Sequence, residues 1–312
     1  MELTGGEPMS GKKTKKIKGP LAREAQITGW LFISPMVIGF TLLLLFPMGL
    51  ALYMSFTDWP LLGSHNYIGI DNYRHIMNDA LFWQVLGNTV YFTVGLVPLN
   101  IVLALLLALL LARSMRGIGL FRTAIFVPVM TSLIVWSIVW KYMFATDSGL
   151  INQLLTALHI QGPAWLYDTK LAMPAVIVTS VLKNVGLNMV LFIAALQQVP
   201  ASLYEAAKLD GASRTRSFFN VTLPMITPTI FLTVVMTVIG SLKVFGQIFV
   251  MTQGGPSNST KVLVYYIWEK AFKLFQLGYA SALAFVLFFV VLVLTLVQWQ
   301  LRKRWVFNES DA

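Results

Sequence analysis

Six side chains stand where an otherwise apolar sequence has no need of them. Lys183, Asn184 and Asn188 lie in the stretch 171–196, and Lys243, Phe245 and Gln247 in the stretch 225–251. A lysine at the centre of a bilayer costs about 2.5 to 3.5 kcal/mol on insertion scales, so each needs a partner or a wet surface. On a helix Asn188 falls one turn beyond Asn184 on the same face, and Gln247 one turn beyond Lys243. Amides offer donors and acceptors together, as a polyhydroxylated solute requires, and Phe245 could pack on an apolar sugar face. We therefore read these six as lining or bordering a solute path. The structural alternative is hydrogen bonding between helices, typically about 0.6 kcal/mol each. A third lysine, Lys141, lies beside Trp140 near the outer end of its stretch, where snorkelling accounts for it.

The elements that must position these residues follow from composition. With 57 % hydrophobic and 12 % charged residues and a mean hydropathy of +0.72, the chain is no soluble globular protein. Apolar stretches at 28–56, 85–112, 123–144, 171–196, 225–251 and 278–301 each reach the roughly 20 residues that a bilayer core demands. Backbone groups in lipid must be satisfied internally, and no short alternating segments suggest a barrel. The expected fold is thus all-α, a membrane bundle of six transmembrane helices. The second stretch is nearly pure Leu, Val and Ala from Ile101 to Ala112 and is expected to face lipid over much of its surface.

The net charge of +10 is unevenly placed. Fifteen Lys and Arg residues fall in the first tail, the loops after the second and fourth stretches and the last tail, against five in the other loops. That asymmetry puts both termini and the loop 200–224 in the cytoplasm and argues against nucleic acid as the partner. The basic tail 1–27 is read as a topology and lipid-headgroup anchor, 28–301 as the membrane domain and 302–312 as a short cytoplasmic tail. The first apolar stretch reads as an uncleaved anchor. Cysteine is absent, which removes disulfides and thiolate metal sites. Gly6 to Lys12 has the spacing of a phosphate-binding loop, but Lys13 stands where a Ser or Thr should hold magnesium, so the match is read as coincidence.

The loop 200–224 carries a different kind of chemistry, that of docking. Ser202 and Glu205 have capping-box spacing, a helix is expected from about 202 to 210, and Gly211 supplies a left-handed stop. A second short helix is expected over 215–221, with Pro224 opening the next span. Ala206 and Ala207 would let another backbone approach closely, while Glu205, Lys208, Arg214 and Arg216 would orient it. The bland alternative is an amphipathic loop lying on headgroups.

The run Glu205-Ala-Ala-x-x-Asp210-Gly211, closing at Leu223-Pro224, resembles the signature loop of ATP-binding-cassette importer permeases. The run from Gly186 to Pro200, the segment Phe245-x(6)-Thr252-x-Gly254-Gly-Pro256 and Leu277-Gly-Tyr-Ala-Ser-Ala282 are similar to the carbohydrate subfamily, and most of 28–305 is covered. The basic ending 300–305 looks more like the first, maltose- or lactose-permease-F-like member of a permease pair. Val221 departs conservatively from the usual isoleucine. The resemblance implies that Glu205, Ala206, Ala207, Asp210, Gly211, Leu223 and Pro224 dock an ATPase. It implies a second homologous permease, two ATPase subunits, an extracytoplasmic solute-binding protein and a carbohydrate substrate, in the bacterial cytoplasmic membrane. ATP and magnesium would then belong to the partner, with no catalytic residue, cofactor or metal in this chain. Two alternatives are weighed beside it. In a permease for sugar or polyol phosphates, Lys183 and Lys243 would be counter-ions. An ion-coupled carrier is disfavoured because no Asp or Glu falls within the six stretches.

Overall fold

The computed structural model describes residues 20–60, 63–112 and 116–305. The tail lysines Lys12, Lys13, Lys15, Lys16 and Lys18, the run from Gly6 to Lys12, Arg113 and residues 306–312 lie outside that description. The chain divides into two compact units, Met1–Tyr53 and Met54–Ala312. In the first, α1 (Pro20–Phe40) continues through a π turn, Thr41–Leu45, into α2 (Phe46–Ser55). Pro47 has no N–H to give, and the register shifts by one residue just ahead of it. From Ile27 to Tyr53 the side chains are mostly exposed and almost all apolar, as suits a helix in lipid.

The second unit opens with a two-residue antiparallel pair, β1 (Thr57–Asp58) on β2 (Asn66–Tyr67), Thr57 opposite Tyr67. Then come α3 (Asp71–Asn78), α4 (Ala80–Leu111), α5 (Ile118–Met130), α6 (Leu133–Met143), α7 (Leu150–Ala157) and α8 (Ala172–Gln198). After α8 follow α9 (Ala201–Leu209), α10 (Arg214–Ser217), α11 (Leu223–Leu242), α12 (Gly246–Met251), α13 (Leu263–Trp268) and α14 (Leu277–Trp305). Among the described residues, five continuous helical runs are long and apolar enough to cross a membrane: Ile27–Ser55, Ala80–Leu111, Ala172–Gln198, Arg214–Leu242 and Leu277–Arg302. The expected third span is instead a pair, α5 and α6, bent by 101°. The expected fifth span is shifted toward the N-terminus, running from Arg214 to Leu242 rather than over 225–251.

Helix α8 is the hub, with 67 % of its most apolar window buried against 28 % for α4 and 22 % for α11. Ala104 and Ala108 of α4 are fully buried against Val185, Met189 and Phe192 of α8, small residues facing large ones. The opposite face of α4, with Val102, Leu106 and Leu110, is exposed, so burial against α8 takes part of the surface expected to face lipid. At the N-terminal end of α4, Asp79 caps the helix through the Leu81 N–H (2.9 Å) and accepts from the Tyr266 and Tyr279 hydroxyls (2.5 and 2.8 Å). Burial pushes its carboxyl up, but these hydrogen bonds and that from the Phe82 N–H outweigh it, leaving it below its ordinary value. One carboxylate thus ties α13 and α14 to the start of α4.

The bend between α5 and α6 has an identifiable cause. Thr131 and Ser132 are extended (ψ 142° and 137°), so the helix stops and the Pro128 carbonyl keeps only a tight-turn bond from the Thr131 N–H (3.2 Å). Lys183, buried on α8, reaches across and donates to the carbonyls of Pro128 (2.6 Å), Val129 (3.2 Å) and Thr131 (2.8 Å). Gly186, one turn on, makes the approach possible. A Cβ there would sit 2.4 Å from the Ile125 carbonyl oxygen. Hydrogen bonds to a charged group contribute about 1.5–3 kcal/mol each, and the ammonium also meets the negative end of the α5 dipole. Replacing the charge should therefore loosen the bend: Lys183→Met is expected to lower the thermal melting temperature in detergent by several degrees. Lys183→Arg should recover part of the loss. An unchanged melting curve for the methionine variant would refute the clamp.

Candidate functional site

Two features of the second unit can carry function, a cavity at the helix breaks and a knob between α9 and α10. The cavity, about 800 Å³, is bounded by α4, α6, α8, α11 and α12. Asn184, Asn188, Lys243, Phe245 and Gln247 line it, five of the six residues that the sequence suggests for a solute path. Lys183 is not among its lining residues, and its ammonium is engaged by the α5 carbonyls instead. The break at 243–245, where Phe245 leaves helical geometry (φ −142°, ψ −59°), is what turns both Lys243 and Phe245 onto the cavity wall.

Each polar group has a specific local setting. Asn188 donates to Asn100 Oδ1 of α4 (2.6 Å) and Thr237 Oγ1 of α11 (3.2 Å), joining three helices. Its amide nitrogen is therefore structural as well as cavity-facing. Asn184 is exposed and donates to the Ser180 carbonyl of its own helix (2.8 Å). Gln247 is 4 % exposed, with Oε1 2.6 Å from Ser180 Oγ and Nε2 unpartnered. The Ser180 hydroxyl has one proton and a second acceptor, the Val176 carbonyl at 2.7 Å. If the proton goes there, the Gln247 amide turns over, donates to Ser180 and leaves its oxygen bare. Either way one end of a buried amide lacks a protein partner, which costs about 1–3 kcal/mol. Phe245 and Phe249 stack at 5.3 Å and both border the cavity, backed by Trp268 and Tyr265. Their faces suit the apolar face of a ring. Ser180 and Thr237 escaped the sequence reading because Ser and Thr are common in apolar helices, and only their partners reveal them. Asn100 carried the same signal as Asn188, an amide inside an apolar stretch.

The knob differs in detail from its expected form. Helix α9 begins at Ala201 after Pro200, with no side-chain cap, so Ser202 and Glu205 form no capping box. Pro200 already fixes the chain's entry, and Ser202 lies inside the first turn. The C-terminal end matches expectation: Gly211 is left-handed (φ +74°). The Ala212 N–H bonds to the Ala207 carbonyl (2.9 Å) and the Gly211 N–H to that of Lys208 (3.1 Å), a Schellman stop. Ser213 then caps α10 through the Arg216 N–H (3.3 Å). The chain passes by a π turn, Phe218–Thr222, straight into α11, so Pro224 sits within a continuing helical run rather than at a free start. Tyr204 and Thr222 share a hydroxyl hydrogen bond (2.9 Å) that fixes α9 to this run.

Glu205, Ala206, Asp210 and Gly211 are exposed and Ala207 half-buried, while Leu223 and Pro224 are half-buried on the helix beyond. Ala206, Ala207 and Asp210 also border a smaller cavity of about 340 Å³ with Arg216 and Asn220. Leu209, not singled out by the sequence reading, is 89 % exposed at the tip. An apolar residue between Lys208 and Asp210 was the signal for it.

Known proteins resemble the chain over its length. It is 34 % identical over 313 residues to the probable ABC transporter permease protein YesP of Bacillus subtilis (strain 168), covering 99 % of both chains. To the lactose transport system permease protein LacF of Rhizobium radiobacter it is 36 % identical over 288 residues, 90 % of this chain and 96 % of that one. Its fold matches a chain of a bacterial ABC transporter involved in the import of the acidic polysaccharide alginate. There the TM-score is 0.81 at 22 % identity, over 92 % of this chain and 99 % of the other. Residues 100–306 match the family described as binding-protein-dependent transport system inner membrane component. The chain belongs to that family, as an ABC transporter permease.

Proposed function

We propose that this chain is the permease subunit of a binding-protein-dependent ABC importer for a sugar or oligosaccharide in the bacterial cytoplasmic membrane. The observation that carries the reading is the pairing, in one chain, of a rigid exposed knob with a largely apolar cavity that bears a lysine and several amides at two helix breaks. In this reading α5 and α6 together make the third of six spans, and both termini and the knob face the cytoplasm. A second homologous permease completes the pathway, two ATPase subunits receive the knobs, and an extracytoplasmic solute-binding protein delivers the solute. ATP and magnesium belong to the ATPases. Relatives named for sugar transport, LacF among them, support a carbohydrate substrate. So does a wall that mixes amides with stacked phenyl faces.

The mechanism follows from differential contact. The ATPases pull the knobs together when ATP is bound, and the cavity turns outward to take the solute. Hydrolysis releases the knobs and the cavity opens inward. Only solute interactions that differ between the two states can couple transport to ATP. An ion-coupled carrier fits less well. Broken helices in such carriers aim carbonyl ends at a coupling cation, whereas here the α5 carbonyls are already filled by Lys183.

Affinity purification of the chain from native membranes should bring down an ATPase activity and a second permease. Gly211→Val forces a β-branched residue into left-handed backbone, a strain of about 1–3 kcal/mol, with no atom within 4 Å to clash. The co-purified ATPase should fall severalfold in that variant while the amount of membrane-inserted chain stays level. A chain that purifies alone would sink the importer reading. For the cavity, Asn188→Leu should cut ATP-dependent sugar uptake by tenfold or more with ATPase content retained. Uptake at the wild-type rate would remove Asn188 from the pathway.

A further inference from the structure

Among the lysines of the second unit, Lys243 lines the large cavity, whereas exposed Lys141 borders a smaller one beside Asp147 and exposed Lys170 and Lys208 line neither. Lys183 is engaged by three carbonyls, and Lys261 pairs with Glu269 at 2.6 Å. Lys270 and Lys273 lie over aromatic rings. Lys243 is exposed, lines the cavity, and has no hydrogen-bond or ion-pair partner among the described residues. It follows α11 directly, where the helix dipole favours a cation, but only partly offsets a charge held among apolar spans. No Asp or Glu lines the cavity, so nothing there neutralises it. The remaining lining groups are neutral: Asn184, Asn188, Ser180, Thr237, Ser241 and Gln247.

We propose that the cavity is built for an acidic sugar, one carrying a carboxylate or a phosphate, with Lys243 as its counter-charge. This rests on the importer reading and narrows its substrate. An ammonium without a protein counter-charge on the cavity wall sets up a positive potential that favours an anion and excludes cations. A lysine is a point charge without the planar fork of arginine, so it suits a group that must bind and then leave. The division of labour is clear in the geometry. Lys243 meets the acidic group, and Phe245 with Phe249 covers an apolar ring face. Lys183 cannot share the anion, because its donors are spent on α5.

The test uses the whole purified transporter in vesicles with its binding protein and ATP. The solutes are glucuronate and galacturonate disaccharides, glucose 6-phosphate and neutral disaccharides of matching size. The expected result is ATP-dependent uptake of uronates or of the phosphate in preference to the neutral sugars, and which of the two is taken identifies the acidic group. Lys243→Gln should lower that uptake by at least tenfold and Lys243→Arg by much less, with equal ATPase content showing that both variants assemble. Preferential import of the neutral sugars, undiminished in Lys243→Gln, would overturn the proposal while leaving the importer intact. So would rescue of an inactive Lys243→Glu transporter by a basic substitution in the second permease, since Lys243 would then pair with protein. Loss of ATP-dependent uptake for every solute, with no ATPase bound, would overturn the importer reading itself.

Discussion

Everything near the cavity depends on one requirement: carbonyl oxygens released at a helix break among apolar spans must find donors. Helix α5 ends with three such carbonyls, and a single ammonium from α8 meets them all. A buried charge and a broken helix are each costly alone, and together each removes the other's cost. The close backbone contact at Gly186 brings the two elements within reach, so packing and electrostatics at this point cannot be separated.

The break has a purpose in the architecture. Once the chain turns at Thr131, α6 lies against α12, which itself begins after the second break at Lys243. The two short helices meet so closely that a Cβ on Gly246 would stand 2.8 Å from Leu133 Cδ2. The cavity lies at these breaks, with Leu133 and Ile134 of α6 and residues 243–247 on its wall. Polar groups gather there as well. Irregular backbone at membrane depth is tolerated where it lines a cavity or is met by protein donors, and both conditions hold here.

How much of this was legible in the sequence depends on the kind of signal. Helical spans declare themselves by length of apolar run, and four of them fall close to where hydropathy puts them. Breaks do not, because Thr131, Ser132 and Val244 are ordinary members of an apolar stretch and only tertiary contacts stop the helix at them. The same gap explains Lys183. From its type and depth a lysine needs a partner, but whether the partner is solute or backbone is decided by a neighbouring helix 52 to 55 residues away. At the knob, Gly211 was readable since left-handed backbone favours glycine, whereas the capping box failed because Pro200 shifted the helix start by one residue.

The unbroken helical run from Arg214 to Leu242 has a mechanical meaning. Its 29 residues span about 43 Å, with the knob at one end and Lys243 immediately beyond the other. It is a stiff rod held at its foot by Tyr204 and bearing the cavity's cation at its head. A tilt of about 5° at the foot sweeps the head through roughly 4 Å over that length. That is enough to carry a hydrogen-bonding atom from contact to well beyond it. The chain therefore holds, within one helix, a lever whose short arm lies on the outside of the molecule and whose long arm ends at the cavity.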